Sequence, residues 1–109
     1  MGDSRKQLQS FPPEVRRSIG SALYDAQKGT KAPSAKPFKG VGSGVFEIAV
    51  RFDTNAYRVV YAVQIGEQLY VLHAFQKKSK SGSKTPPQDV ELITRRYRQA
   101  IEMENENHE

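Results

Sequence analysis

Apolar residues recur at helical spacing near both ends of the chain and at every second position through its middle, so the pattern divides the sequence before any single residue is weighed. Val15, Ile19, Ala22, Leu23 and Ala26 share one side of a helix. Pro13 and Glu14 suit its first turn, where a missing N–H costs nothing, and Gly29 suits the left-handed cap that ends it. Residues 4–10 predict a short helical lead-in that Pro12 and Pro13 interrupt. Residues 30–44 hold two Pro, three Gly and three Lys with little periodicity, which predicts a long surface loop.

From Val45 the period becomes two, and strands are expected over residues 45–53, 56–65 and 68–76. The short breaks at Thr54-Asn55 and Gly66-Glu67 make these an antiparallel meander. Thr85, Pro86, Pro87 and Gln88 give a cap hydroxyl, prolines for the first turn and a back-reaching amide, a helix start. Val90, Ile93, Tyr97, Ala100 and Ile101 then form an apolar stripe, and residues 102–109, with four Glu, are expected to fray. The pattern predicts one α+β domain over residues 1–109, with an antiparallel sheet of three to four strands packed against N-terminal helices and followed by a C-terminal helix.

Closing the hairpins at those breaks places Phe52 opposite Tyr57, Arg51 opposite Arg58, Ile65 opposite Gln68 and Arg58 opposite Phe75. One face then gathers Phe46, Ile48, Val50, Phe52, Tyr57, Val59, Tyr61, Val63, Tyr70, Leu72 and Ala74, a surface for the amphipathic helix to cover. The other gathers Glu47, Arg51, Arg58, Val60, Ala62, Val71, His73, Phe75 and Lys77. Two arginines directly opposed cost a few tenths to about 1 kcal/mol unless an anion lies between them, and Glu47 neutralises them only in part. Cations, a group that titrates near neutrality and an aromatic ring together suit an RNA phosphate and a stacked base. Solvated strand residues are an equal reading for Arg51 and Arg58, and a half-buried structural imidazole is the commoner fate of a His such as His73. Phe75 equally suits packing under the last helix.

Charge sharpens the picture. The formal net charge is +5, and without residues 102–109 the chain holds 17 basic and 8 acidic side chains, a net of +9. Lys77, Lys78, Lys80 and Lys84 crowd the segment between the last strand and the last helix with no acid among them, which favours binding of a polyanion over mere solubility. With no Cys and two His there is neither a disulfide framework nor a basis for a transition-metal site, and the basic face lacks the clustered carboxylates of a metal-dependent nuclease. No Gly-rich phosphate loop stands between a strand and a helix, no segment suits a membrane span, and no export signal is read. A cytoplasmic protein without cofactor or metal is expected.

Several stretches resemble one family: residues 11–16 (FPPEVR), 35–40 (AKPFKG), 45–48 (VFEI), 57–61 (YRVVY), 71–80 (VLHAFQKKSK) and the Thr85-Pro86 pair. The chain is similar across almost its whole length to the phage-related relatives of the RelE/HigB toxins of bacterial type II toxin–antitoxin systems. That resemblance implies a RelE-like α+β fold with helices on one side of the sheet. It also implies a metal-independent, ribosome-dependent endoribonuclease, an mRNA interferase that inhibits translation and arrests growth. The ribose 2′-OH attacks the adjacent phosphate, so the protein must move protons and stabilise charge on phosphorus. Carried onto this chain, the resemblance gives Arg51 and Arg58 the phosphate, His73 or Lys77 the protons, and Lys78, Lys80 and Lys84 the contacts to mRNA or rRNA, beside the base-stacking role already read for Phe75.

The implied partners are the ribosome, mRNA and a cognate antitoxin, typically a helix-turn-helix DNA-binding protein from the adjacent gene. Members of the resembled family carry a strand ahead of the first helix, for which residues 1–4 leave little room. The expected sheet is one strand short, and its open edge would favour a homodimer or a partner's strand. The competing expectation is a catalytically inactive RNA- or partner-binding module on the same scaffold.

Overall fold

The structure is a computed structural model that describes residues 3–30, 35–42, 44–65, 68–78 and 85–107. Its elements run α1 (Ser4–Gln9), α2 (Pro13–Gln27), β1 (Ala35–Pro37), β2 (Val45–Phe52), β3 (Asn55–Ile65), β4 (Gln68–Lys78) and α3 (Pro87–Asn107). Helix α2 begins at the expected proline, and it ends where the N–H of Gly29, at φ 88°, bonds to Ala26 O. The four strands lie in the order β1-β2-β3-β4, each antiparallel to the next. Strand β1 falls inside the segment expected to be a loop. Three residues that include Lys36 and Pro37 carry no readable alternation, yet Ala35 is buried and Ala35, Lys36 and Pro37 pair with Ile48, Glu47 and Phe46.

Both sheet faces are covered. Phe11, Val15, Ile19 and Ala22 from the α1–α2 side pack with Ile48, Tyr57, Val59, Tyr61 and Ala74. On the opposite face Ile93 and Ala100 of α3 pack with Val45, Val60, Ala62, Tyr70 and Leu72. The helices therefore flank the sheet instead of sharing one side, because β3 presents apolar residues in both directions.

A β-bulge explains how β4 serves both cores. Val60 pairs with His73 but Tyr61 pairs with Val71, which leaves Leu72 as the extra residue. Beyond it the alternation inverts. Tyr70 and Leu72, expected under α2, pack under α3, while Leu69 and Val71 turn toward α2. The extra carbonyl is not abandoned: Arg96 Nη1 donates to Leu72 O at 2.8 Å and to Ser4 Oγ at 3.2 Å, and Arg96 Nη2 bonds Asp3 Oδ1 at 2.9 Å. One guanidinium from α3 thus fastens the bulge and the start of α1, which lies against β4.

The last helix runs through Asn107 and so takes in residues 102–107 of the acidic tail. Tyr70 Oη donates to Glu104 Oε2 at 3.2 Å, which anchors this turn to the sheet.

Candidate nucleic-acid interface

The first hairpin turns at Asp53-Thr54, one residue earlier than expected, and this moves the β2–β3 register by two. A shift of two preserves the faces while changing the neighbours. Phe52 pairs with Asn55, Arg51 with Ala56, and Ala49 with Arg58, so the two arginines are not directly opposed. The second hairpin has the expected pairing of Ile65 with Gln68 and of Arg58 with Phe75.

Three rows across β2, β3 and β4 define the candidate face: Arg51, Ala56 and Lys77; Ala49, Arg58 and Phe75; Glu47, Val60 and His73. In the row nearest the hairpin end Arg51 is exposed. In the middle, Arg58 Nη1 donates to Glu47 Oε1 at 3.1 Å and Oε2 at 3.3 Å, with the two side chains only 12% and 18% exposed. Such a pair is a stronger neutralisation of the arginine than the sequence suggested, since partial burial strengthens the attraction.

The innermost row lies beneath α3. His73 is buried, its ring stacks on Phe75 at 4.8 Å and 18°, and Nε2 is 2.8 Å from Asp89 Oδ1 in the first turn of α3. Its Nδ1 is buried with no hydrogen-bond partner among the described residues. That surrounding describes a tie between strand and helix more than a group open to solvent. Phe75 is half-buried and packs with the α3 core, in keeping with the packing alternative.

The structure thus brings Arg51, Arg58, His73, Phe75 and the backbone position of Lys77 onto one face. Lys78 occupies the opposite face, in the row of Phe52 and Asn55. Lys80 and Lys84 lie outside the described residues. Asp89 and Arg96 had no signal of their own in the sequence, because the partners that give them meaning are 16 and 24 residues away.

Asp3 shows what Arg96 does electrostatically. The guanidinium's hydrogen bond holds the Asp3 carboxyl below its ordinary value of 3.8, against a desolvation effect that raises it. Among the described residues no group of three or more His, Cys, Asp or Glu side chains gathers as a metal site would require, and no helix is long and apolar enough to cross a membrane. A depression of about 940 Å³ runs along the outer side of α3 past Val90, Thr94 and Arg98, and Arg51, Arg58, His73 and Phe75 do not line it.

Residues 6–98 match a family profile described as Phage derived protein Gp49-like (DUF891). Comparison with curated proteins and with solved structures returns no match.

Proposed function

We propose, for a chain that belongs to the Gp49-like family of phage-derived proteins, the function of the toxin in a toxin–antitoxin module, an endoribonuclease that cuts mRNA on the ribosome. The family is associated with toxin–antitoxin modules, and the likeness of residues 71–80 and Thr85-Pro86 to RelE/HigB toxins narrows that association to RNA cleavage. The observation that carries the reading is the register of three cationic positions, Arg51, Arg58 and Lys77, on one sheet face beside a carboxylate.

In this reading Arg51 and Arg58 hold the scissile phosphate, and their charge offsets what builds up on phosphorus as the 2′-OH attacks. A phosphate arriving at Arg58 competes with Glu47 for the guanidinium. The released carboxylate accepts the 2′-OH proton, and Lys77 protonates the departing 5′-oxygen. His73 contributes rigidity through Asp89, not proton transfer. The products are a 2′,3′-cyclic phosphate and a free 5′-hydroxyl. The antitoxin blocks the basic face with acidic side chains.

The test is mapping of mRNA 5′ ends after brief induction of the chain, with and without the neighbouring gene. New codon-phased ends that disappear when the neighbour is co-expressed are the expected result. Unchanged ends with normal growth would leave the second reading, a module that binds RNA or a partner without cutting. That second reading predicts salt-sensitive RNA binding with no cut ends.

A further inference from the structure

We infer that the tip of the β2–β3 hairpin grips single-stranded RNA, with Phe52 as the plate on which one base stacks and Arg51 as the ligand of a neighbouring phosphate. The inference deepens the proposed function and rests on it for the identity of the nucleic acid.

Phe52 was expected in the core. Instead it is 36% exposed at the last position of β2, and among the described residues it joins neither hydrophobic cluster. A lone exposed aromatic needs no explanation by itself, so its surroundings decide. The tip rows are Arg51, Ala56, Lys77 on one face and Phe52, Asn55, Lys78 on the other. The middle strand contributes only Ala56 and Asn55 there, and both are small. The Arg51 and Lys77 positions, two strands apart at about 10 Å, lie either side of Ala56, a low centre for a nucleic-acid backbone to cross. Asp53 is the single acid of the tip against Arg51, Lys77 and Lys78.

The turn supplies an independent observation. Asp53 and Thr54 have φ of 56° and 67°, the left-handed conformation that a two-residue hairpin of this kind demands at both central positions. Glycine and asparagine adopt it readily, whereas a β-branched residue such as Thr54 is strained there. A strained tip made of polar side chains, where Asn-Gly would form the same turn freely, is the kind of outlier that marks a working surface.

The two faces of the tip then act in sequence along one strand of RNA. The backbone crosses the Arg51 side, and an unstacked base folds over the end of the sheet onto Phe52. Paired bases in a duplex cannot present a ring face in this way, so the site takes single-stranded RNA.

The experiment is fluorescence anisotropy at fixed salt with the full chain, using a fluorescein-labelled RNA of 12 nucleotides that is 2′-O-methylated throughout, alone and annealed to its complement. Methylation removes the attacking hydroxyl, so binding is read whether or not the protein is a nuclease. Phe52→Ala is expected to weaken the single strand about tenfold and to leave the duplex unchanged, while Phe52→Tyr binds like the parent. Arg51→Ala is expected to lower the slope of log affinity against log salt by about 1. Equal loss for both nucleic acids, no effect of Phe52→Ala, or failure of Phe52→Tyr in a chain that melts normally would overturn the inference. Absence of mRNA cuts in cells with the Phe52-dependent binding intact would sink the nuclease reading and leave this one standing.

Discussion

The imidazole of His73 and the carboxylate of Asp89 meet at 2.8 Å, joining the bulged strand β4 to the first turn of α3. The contact is placed where a buried polar ring has no alternative partner, since Nδ1 is already without one among the described residues. Asp89→Ala strands the second nitrogen as well, and a buried polar group left unpaired costs about 1–3 kcal/mol. His73→Phe removes the polar demand and keeps an aromatic ring against Phe75, so it is expected to cost less than Asp89→Ala in urea unfolding. Growth arrest should survive His73→Phe; its loss in a variant of parental stability would return the proton-transfer role to His73.

Arg96 carries three contacts at once, to Leu72 O, Ser4 Oγ and Asp3 Oδ1. Arg96→Ala leaves the bulge carbonyl without this donor and frees the start of α1, an expected loss of about 2–3 kcal/mol. Asp3 is 51% exposed in its side chain, so Asp3→Asn costs under about 1 kcal/mol. Its pH dependence has a definite sign. The carboxyl titrates at 3.8 in the unfolded chain and lower in the fold, so the pair contributes fully above 3.8 and is lost as pH falls through the folded value. The stability difference between the parent and Asp3→Asn is therefore expected at pH 6 and absent in strong acid. A difference that grows on acidification would contradict the assignment.

Much of this architecture was legible because three strands and two amphipathic helices announce themselves by period. What was hidden depended on pairings that no local pattern encodes. Leu72 is the instructive residue: alternation alone put it under α2, and one inserted position in β4 moved it and Tyr70 under α3. The same blindness concealed that Val60 and Ala62, apolar residues on what looked like a basic face, were the floor of a second core. The site fared better. The face shared by Arg51, Arg58, His73 and Phe75 followed from parity and survived a two-residue register error. Which of them is open and which is covered did not follow, because that is decided by Asp89 and by where α3 lies.

Gly42 illustrates a requirement set by packing and not by backbone conformation. A Cβ built there would lie 2.6 Å from Tyr97 Oη and 2.7 Å from the adjoining ring carbons, closer than atoms tolerate. The segment after β1 is thus pressed onto α3, with Phe38 and Val41 joining the same cluster as Tyr97. Gly42→Ala is expected to cost about 1–3 kcal/mol by forcing the ring aside. If the contact is the cause, the cost disappears in a Tyr97→Ala background, and a double-mutant cycle in urea will show strong coupling. Additive effects would place the requirement elsewhere.

Arg58 and Glu47 test whether the central pair serves stability, chemistry or both. Arg58→Ala leaves a largely buried carboxylate facing an empty site, so it should lower stability as well as activity, and alone it distinguishes nothing. Glu47→Gln keeps an acceptor for the guanidinium at nearly the same volume and removes the proton acceptor. If the proposed chemistry holds, Glu47→Gln keeps most of the stability and lowers the rate of mRNA cutting on purified ribosomes at least a hundredfold, within the range a positioned base contributes. Combining Arg58→Ala with Glu47→Gln should then restore stability without restoring cutting, because the orphaned charge is gone while the phosphate ligand is still missing. Full cutting by Glu47→Gln would limit the carboxylate to holding Arg58 in place, and the proton acceptor would have to be sought elsewhere on the face.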